Sequence, residues 1–231
     1  MASWREVVTF SQPLTAERNG TDEEVSYGVV KPLPVIVWDR EAGKRCVIPM
    51  RWGFPHPKDW RRPQPIHARS ETIETTKAFA EAFATGQRGI VVFKTFNEGE
   101  ETTTSTGTPK TIQWTIDPQD GIPRGFAFVW RRFEISDLPQ PMLACVMVTV
   151  PANRLLRDSI LKNDLDPRMP AILEDADWET WLGENDATPE QAKGVLRTIE
   201  GVNWKIAPQA KKAKSAKQPT PVRPGPVPGL F

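Results

Sequence analysis

The sequence predicts an α+β fold, on three observations. Six apolar runs of strand length recur along the chain, the helix-forming stretches are short, and 23 prolines accompany them. Proline removes a backbone donor and breaks helices, so this composition favours strands, turns and irregular connections. At 231 residues and 39% hydrophobic content the chain can bury a sizeable core, and 26% charged residues is close to the globular average.

The predicted strands are Val29–Trp38, Cys46–Pro49, Gly89–Phe96, Thr111–Ile116, Gly125–Trp130 and Met142–Val150. Thr75–Ala84 is the clearest helix, with Phe79 and Phe83 four apart on one face. Shorter helices are expected at Asn153–Leu161 and Trp178–Leu182. A further one is expected at Thr188–Ile199, where Thr188-Pro189-Glu190-Gln191 supplies a cap, an N1 proline and a glutamine at N3. Glu98–Pro109, polar and rich in threonine, reads as a hairpin loop between its neighbouring strands.

Charge divides the chain in two. Residues 207–231 hold five basic residues and no acidic one, so residues 1–206 carry −4 against +5 in the tail, although the whole chain is only +1. The tail also holds six prolines and reads as an extended, basic, proline-rich appendage to a body spanning 1–206. Cys46 and Cys145 each lie in an apolar run and are expected to be reduced core thiols in a cytoplasmic protein. The polar N-terminus predicts no signal peptide, and no apolar stretch approaches the ~20 residues of a membrane helix. With no P-loop, no dinucleotide glycine fingerprint and no paired histidine motif, neither cofactor nor metal is predicted.

Several motifs occur in a telling order. Met50-Arg51-Trp52-Gly53 is followed by Ala68-Arg69-Ser70-Glu71-Thr72. Next comes a strand, Arg88 to Phe93, leading to Phe96-Asn97-Glu98. Arg168-Met169-Pro170-Ala171-Ile172-Leu173 closes the series, with Ala127-Phe128-Val129-Trp130 and Pro151-Ala152-Asn153 as weaker matches. Together these resemble the SOS-response-associated peptidase family, whose better-known members process abasic sites in single-stranded DNA. The resemblance implies a mixed, largely antiparallel sheet closed or nearly closed into a barrel, flanked by short helices. It also implies a positively lined groove for single-stranded DNA. In the family an N-terminal cysteine attacks the aldehyde of the abasic sugar, its thiol and α-amine forming a thiazolidine, while a Glu, a His and an Asn move protons and orient the groups.

Carried over residue by residue, that chemistry is incomplete here. Glu98 falls on the family glutamate and could shuttle a proton; the competing reading is an exposed carboxylate at the mouth of an acidic loop. The family asparagine is His67 and the family histidine is Asp166. These two could form an imidazole–carboxylate pair, or be a polar wall residue and a turn residue respectively. The family Cys-Gly-Arg-Phe aligns best with Val7-Val8-Thr9-Phe10, which lacks the nucleophile.

The nucleic-acid features are better kept. Arg69, Arg51 and Arg168 remain as phosphate-binding candidates, and Trp52 as a surface for an unstacked base. Against this, Trp52 could be core and Arg69 could pair with Glu71 or another acidic neighbour. The resemblance therefore implies binding of single-stranded or damaged DNA with the thiol chemistry lost. One alternative is an abasic-site lyase or autopeptidase using Glu98, His67, Asp166 and the N-terminal amine, which removal of the initiator Met before Ala2 would expose. Another is an interaction protein whose tail presents Leu230 and Phe231 to a replication or repair partner.

Overall fold

The computed structural model describes residues 27–201 and 203–209. Val7, Ala2, Leu230, Phe231 and nearly all of the basic tail lie outside the described residues. Among the described residues thirteen strands follow one another: β1 (Pro32–Asp39), β2 (Lys44–Trp52), β3 (Pro55–His56), β4 (Asp59–Pro63), β5 (His67–Arg69), β6 (Arg88–Phe93), β7 (Phe96–Thr103), β8 (Pro109–Asp117), β9 (Arg124–Phe133), β10 (Met142–Pro151), β11 (Arg168–Pro170), β12 (Ile172–Leu173) and β13 (Lys205–Pro208). The α-helices are short: α1 (Ala80–Ala84), α2 (Arg154–Ser159), α3 (Trp178–Leu182) and α4 (Pro189–Gly194).

The expected α+β barrel is present. Strands β10, β2, β1, β6 and β9 follow in that order, and β9 pairs back onto β10, closing a five-stranded mixed barrel. All its pairings are antiparallel except β2 with β10, which run parallel through Ala144↔Arg51 and Cys145↔Trp52. Closure explains the unbroken apolar run of β6. With neighbours on both edges and packing on both faces, all six of its residues are buried. Strand β10 also pairs in parallel with β5, matching Met147 to His67 and Thr149 to Arg69. That pairing brings the His67-Ala68-Arg69 segment onto the barrel wall.

Helix ends follow local chemistry. Asn153 caps α2 by accepting from the Leu156 N–H at 3.0 Å. Thr188 and Gln191 form the expected reciprocal box on α4, at 3.2 and 2.8 Å. That helix stops at Gly194, five residues short of the predicted end. The predicted Thr75–Ala84 helix is α-helical only over Ala80–Ala84. Its first half is a set of turns on Thr72, whose carbonyl accepts from the Thr75 and Thr76 N–H groups and the Thr75 hydroxyl. Phe79 and Phe83 are nonetheless both buried on one side.

The predicted loop at Glu98–Pro109 is mostly strand. β7 and β8 form a long hairpin from Phe96↔Ile116 to Thr103↔Pro109, turning only through residues 104–108. Threonine has high strand propensity, but β7 is largely solvated and carries no apolar alternation to mark it, whereas β8 alternates Ile112, Trp114 and Ile116 and contains the predicted strand Thr111–Ile116. β13 pairs with the far edge of β8 and takes in Ala207 and Pro208, which the sequence assigns to the tail. No helix among the described residues is long and apolar enough to cross a membrane.

Candidate functional site

A cleft of about 570 Å³ opens where the β7–β8 hairpin meets the barrel. Its walls are apolar, with Leu33, Val91, Phe93, Phe126, Phe128 and Met147 contributing. Phe93 and Phe126 stack with centroids 3.5 Å apart, and Phe96 stands edge-on to both, so this wall is rigid. Glu98, His67 and Trp52 reach the cleft from three different elements, together with Tyr27, Gln113, Thr115 and Gln209.

Each arrives for a local reason. Trp52 ends β2; its backbone N–H donates to Lys31 O and its indole N–H to Ile66 O at 3.2 Å, and its ring packs edge-on to Phe128. It is thus both packed and cleft-lining. His67 begins β5 with its ring centroid 6.4 Å from that of Trp52. Glu98 lies on β7 opposite Trp114, half-buried, and its carboxylate accepts from the Gly99 N–H at 3.1 Å.

The electrostatics favour neutral forms. Desolvation in the cleft raises the Glu98 pKa, with Asp164 pushing the same way and the Gly99 hydrogen bond opposing. Desolvation likewise lowers the pKa of His67. Both shifts favour the uncharged forms of two groups that line the same cleft, and a carboxyl that holds its proton longer than usual is suited to donate as well as accept one. Among the described residues, no lysine or arginine lines this cleft.

The remaining predicted residues sit elsewhere. Asp166 does not meet His67; it pairs with Arg69 at 2.5 Å and lies 3.8 Å from Arg168. An imidazole–carboxylate pair is therefore not formed, because the Asp166 carboxylate is taken by Arg69. Arg69 thus has the acidic neighbour that the sequence left open, and 62% of its side chain stays exposed. Arg51 points into the β3–β4 hairpin and donates to the carbonyls of Trp60 and Arg61 at 2.5 and 2.7 Å. Arg168 grips Glu71 with two hydrogen bonds, 2.7 and 2.6 Å, and also donates to Thr149 O.

The grip of Arg168 has a measurable signature. It holds the Glu71 carboxyl at about 2, below its ordinary 4.5. A depressed folded-state pKa stabilises the fold above the unfolded value, and the contribution is lost as pH falls through the folded one. The melting temperature of the parent should exceed that of Glu71→Gln above about pH 5, and the gap should close towards about pH 2. A gap that is constant across this range would mean the pair does not act through ionisation.

Two thiols lie apart from the cleft. Cys145 is fully buried in β10, and burial pushes its pKa far up. Cys46 is half-buried in β2, raised by burial and by Asp39. Neither is poised as a thiolate. A second, more open depression of about 680 Å³, bordered by Asp120, Arg124, Glu174, Asp175, Glu200 and Trp204, holds none of the predicted residues. Among the described residues no cluster of His, Cys, Asp and Glu could hold a metal ion.

Sequence reasoning missed the aromatic wall and Tyr27, Gln113, Thr115 and Gln209. The strand assignments held part of the signal, since Gly89–Phe96 and Gly125–Trp130 contribute four of the wall residues.

Residues 4–215 match the family model described as SOS response associated peptidase. The abasic site processing protein YoqW of Bacillus subtilis is 21% identical over 201 residues, covering 85% of this chain and 84% of that protein. Among solved structures, a protein from Bordetella bronchiseptica superposes with a TM-score of 0.68 at 18% identity, over 91% of this chain and 97% of that one. A protein from Bacteroides thetaiotaomicron gives 0.62 at 20% identity, over 77% and 73%. Both share the fold.

Proposed function

The chain belongs to the SOS response associated peptidase family, and on that premise we propose that it recognises abasic sites in single-stranded DNA through the Glu98 cleft without thiol chemistry. The observation that carries this reading is the convergence of Glu98, His67 and Trp52 on one apolar cleft that, among the described residues, contains no cysteine. Similarity to an abasic site processing protein supports the substrate class. An opened abasic sugar presents an aldehyde. Trp52 and the Phe wall suit the neighbouring base, and Arg69, mostly exposed at the sheet edge, is available to a phosphate.

The juxtaposed proton-transfer groups also favour residual amine chemistry. A neutral amine adds to the aldehyde carbon to give a carbinolamine, and loss of water gives an imine. Glu98 in its acid form donates a proton to the departing hydroxyl and takes one back from the amine nitrogen. The α-amine of Ala2, with a reference pKa of about 7.7–8.0, is the proposed nucleophile. Asp166 has no part in this scheme, because its carboxylate is engaged by Arg69.

The test is incubation with an oligonucleotide bearing one abasic site, followed by denaturing electrophoresis. Without reductant, no shifted band is expected from the parent or from Cys46→Ser and Cys145→Ser. With borohydride a trapped band is expected, and acetylating the N-terminus should remove it. A heat-stable adduct formed without reductant would overturn the loss of thiol chemistry. Trapping that is indifferent to acetylation would remove the α-amine from the mechanism.

A further inference from the structure

Leu165 stands apart from the other apolar side chains among the described residues. It is 103% exposed, against 53% for Ile122 and 44% for Val30, the next most exposed large apolar residues. Single exposed apolar residues are ordinary on a protein surface. Leu165 differs in how firmly the chain beneath it is fastened. On its N-terminal side Ile160 and Leu161 are buried, and the Asp164 N–H donates to Leu161 O at 3.0 Å. Across the apex the Asp166 N–H donates to Asp164 Oδ1 at 3.0 Å. On its C-terminal side the Asp166 carboxylate meets Arg69 at 2.5 Å, and Pro167 O accepts from the Ala152 N–H at 2.8 Å.

The same turn joins parts of the proposed site. Desolvation is the main cause of the raised Glu98 pKa, and the charge of Asp164 adds to it, so Asp164 is within electrostatic reach of Glu98. Asp166 holds Arg69, whose side chain is 62% exposed. Pro170, on the strand that leaves the turn, lines the cleft. Leu165 thus follows a residue coupled to the acid of the cleft and precedes one bound to an exposed arginine.

We propose that Leu165 is an apolar wedge that fills the gap a missing base leaves in a single strand, as the sugar at that position turns towards Glu98 and Arg69 takes a neighbouring phosphate. This rests on the reading of the cleft as an abasic-site pocket. The leucine side chain has no hydrogen-bonding group, so it suits a space that offers only the faces of two flanking bases. Apolar side chains inserted in this way part base steps in DNA. In an intact strand a base fills that space and must first be unstacked, a cost that is smallest where the base is already lost. The wedge therefore confers preference for abasic over intact DNA without reading sequence.

The experiment uses the full chain and a single-stranded oligonucleotide, intact or with one abasic site, carrying 2-aminopurine beside that position. Affinity is read by anisotropy of a terminal label, and unstacking by the rise in 2-aminopurine fluorescence. Leu165→Ala should weaken binding of the abasic strand roughly tenfold, the worth of partly burying the lost aliphatic carbons. It should also abolish the fluorescence rise and leave affinity for the intact strand nearly unchanged. Leu165→Met, which keeps the apolar bulk, should restore most of both signals. Ile122→Ala, in the separate depression away from the cleft, should behave as the parent. Equal affinity and fluorescence for Leu165→Ala and the parent would overturn the wedge while leaving the cleft reading intact. Equal losses on both oligonucleotides would make Leu165 a general contact and also overturn it. A parent that shows no preference for the abasic strand would overturn both readings. Leu165→Ala should melt with the parent, because the side chain buries no surface in the fold; a fall of several degrees would mean that Leu165 is a packing residue and not a wedge.

Discussion

Replacing Glu98 by glutamine should abolish borohydride trapping of abasic DNA and at the same time raise the melting temperature at neutral pH. The first effect follows from removing the proton donor and acceptor while keeping the side chain's shape; general acid–base groups contribute about 10²–10⁴ in rate. The second follows from the sign of the pKa shift. Burial raises the pKa of Glu98, so the folded state disfavours the carboxylate relative to the unfolded chain. Such a group contributes stability that is fully present below its unfolded pKa and is lost as pH rises through the folded value. Wherever Glu98 is ionised its buried carboxylate therefore opposes folding, and Glu98→Gln relieves that cost. The gain should vanish below about pH 4, where the parent is protonated in both states. A purely structural Glu98 would lose stability on substitution at every pH. A variant that traps abasic DNA as well as the parent would remove Glu98 from the chemistry. Single-strand affinity should survive the substitution, which separates binding from proton transfer.

The legibility of this chain differs sharply between barrel and site. The barrel strands β1, β6, β9 and β10 announce themselves because they are buried on both faces and carry unbroken apolar runs, as Arg88–Phe93 does after its first residue. Strand β7 did not, since a strand with polar faces looks like a loop when read by hydrophobicity, although its partner β8 was marked by Thr111–Ile116. That misreading mattered, because it placed Glu98 at the mouth of an exposed loop. Strand pairing with Trp114 instead holds it half-buried against the cleft. Motif order was enough to bring His67, Trp52 and Glu98 to one place, although no local pattern connects them. Asp166 and Arg168 do not line that cleft. Those two were settled by ion pairs with Arg69 and Glu71, partners distant in sequence. Short strands such as β5 and β12 exist only by virtue of their pairing with β10 and β9.

Trp181→Ala should destabilise the protein by about 3–5 kcal/mol, the cost of emptying a large aromatic site in a packed core. Trp181 is completely buried on α3. Its indole N–H donates to Gly89 O at 2.9 Å, and its own carbonyl accepts from the Arg88 guanidinium. Arg88 in turn donates to Phe83 O at 3.1 Å and lies over both the Phe83 and Trp181 rings. One side chain thus ties α1 and α3 to the first two residues of β6. Gly89 permits the close approach of β1 there, since a Cβ would fall 2.4 Å from Val35 Cγ1 and 3.2 Å from Ile36 O. The far end of the same strand supplies Val91, Val92 and Phe93 to the cleft, so Trp181 anchors a cleft wall without touching ligand. For a chain of this length 3–5 kcal/mol corresponds to a fall of roughly 6–20 °C in melting temperature. Trp181→Phe keeps most of the buried volume but loses the donor to Gly89 O, and should cost about 1–3 kcal/mol. Assayed well below its midpoint, Trp181→Ala should still bind single-stranded DNA, because the barrel closes through β1, β9 and β10 without it. Melting of Trp181→Ala within a degree of the parent would show that α3 is not anchored through this residue.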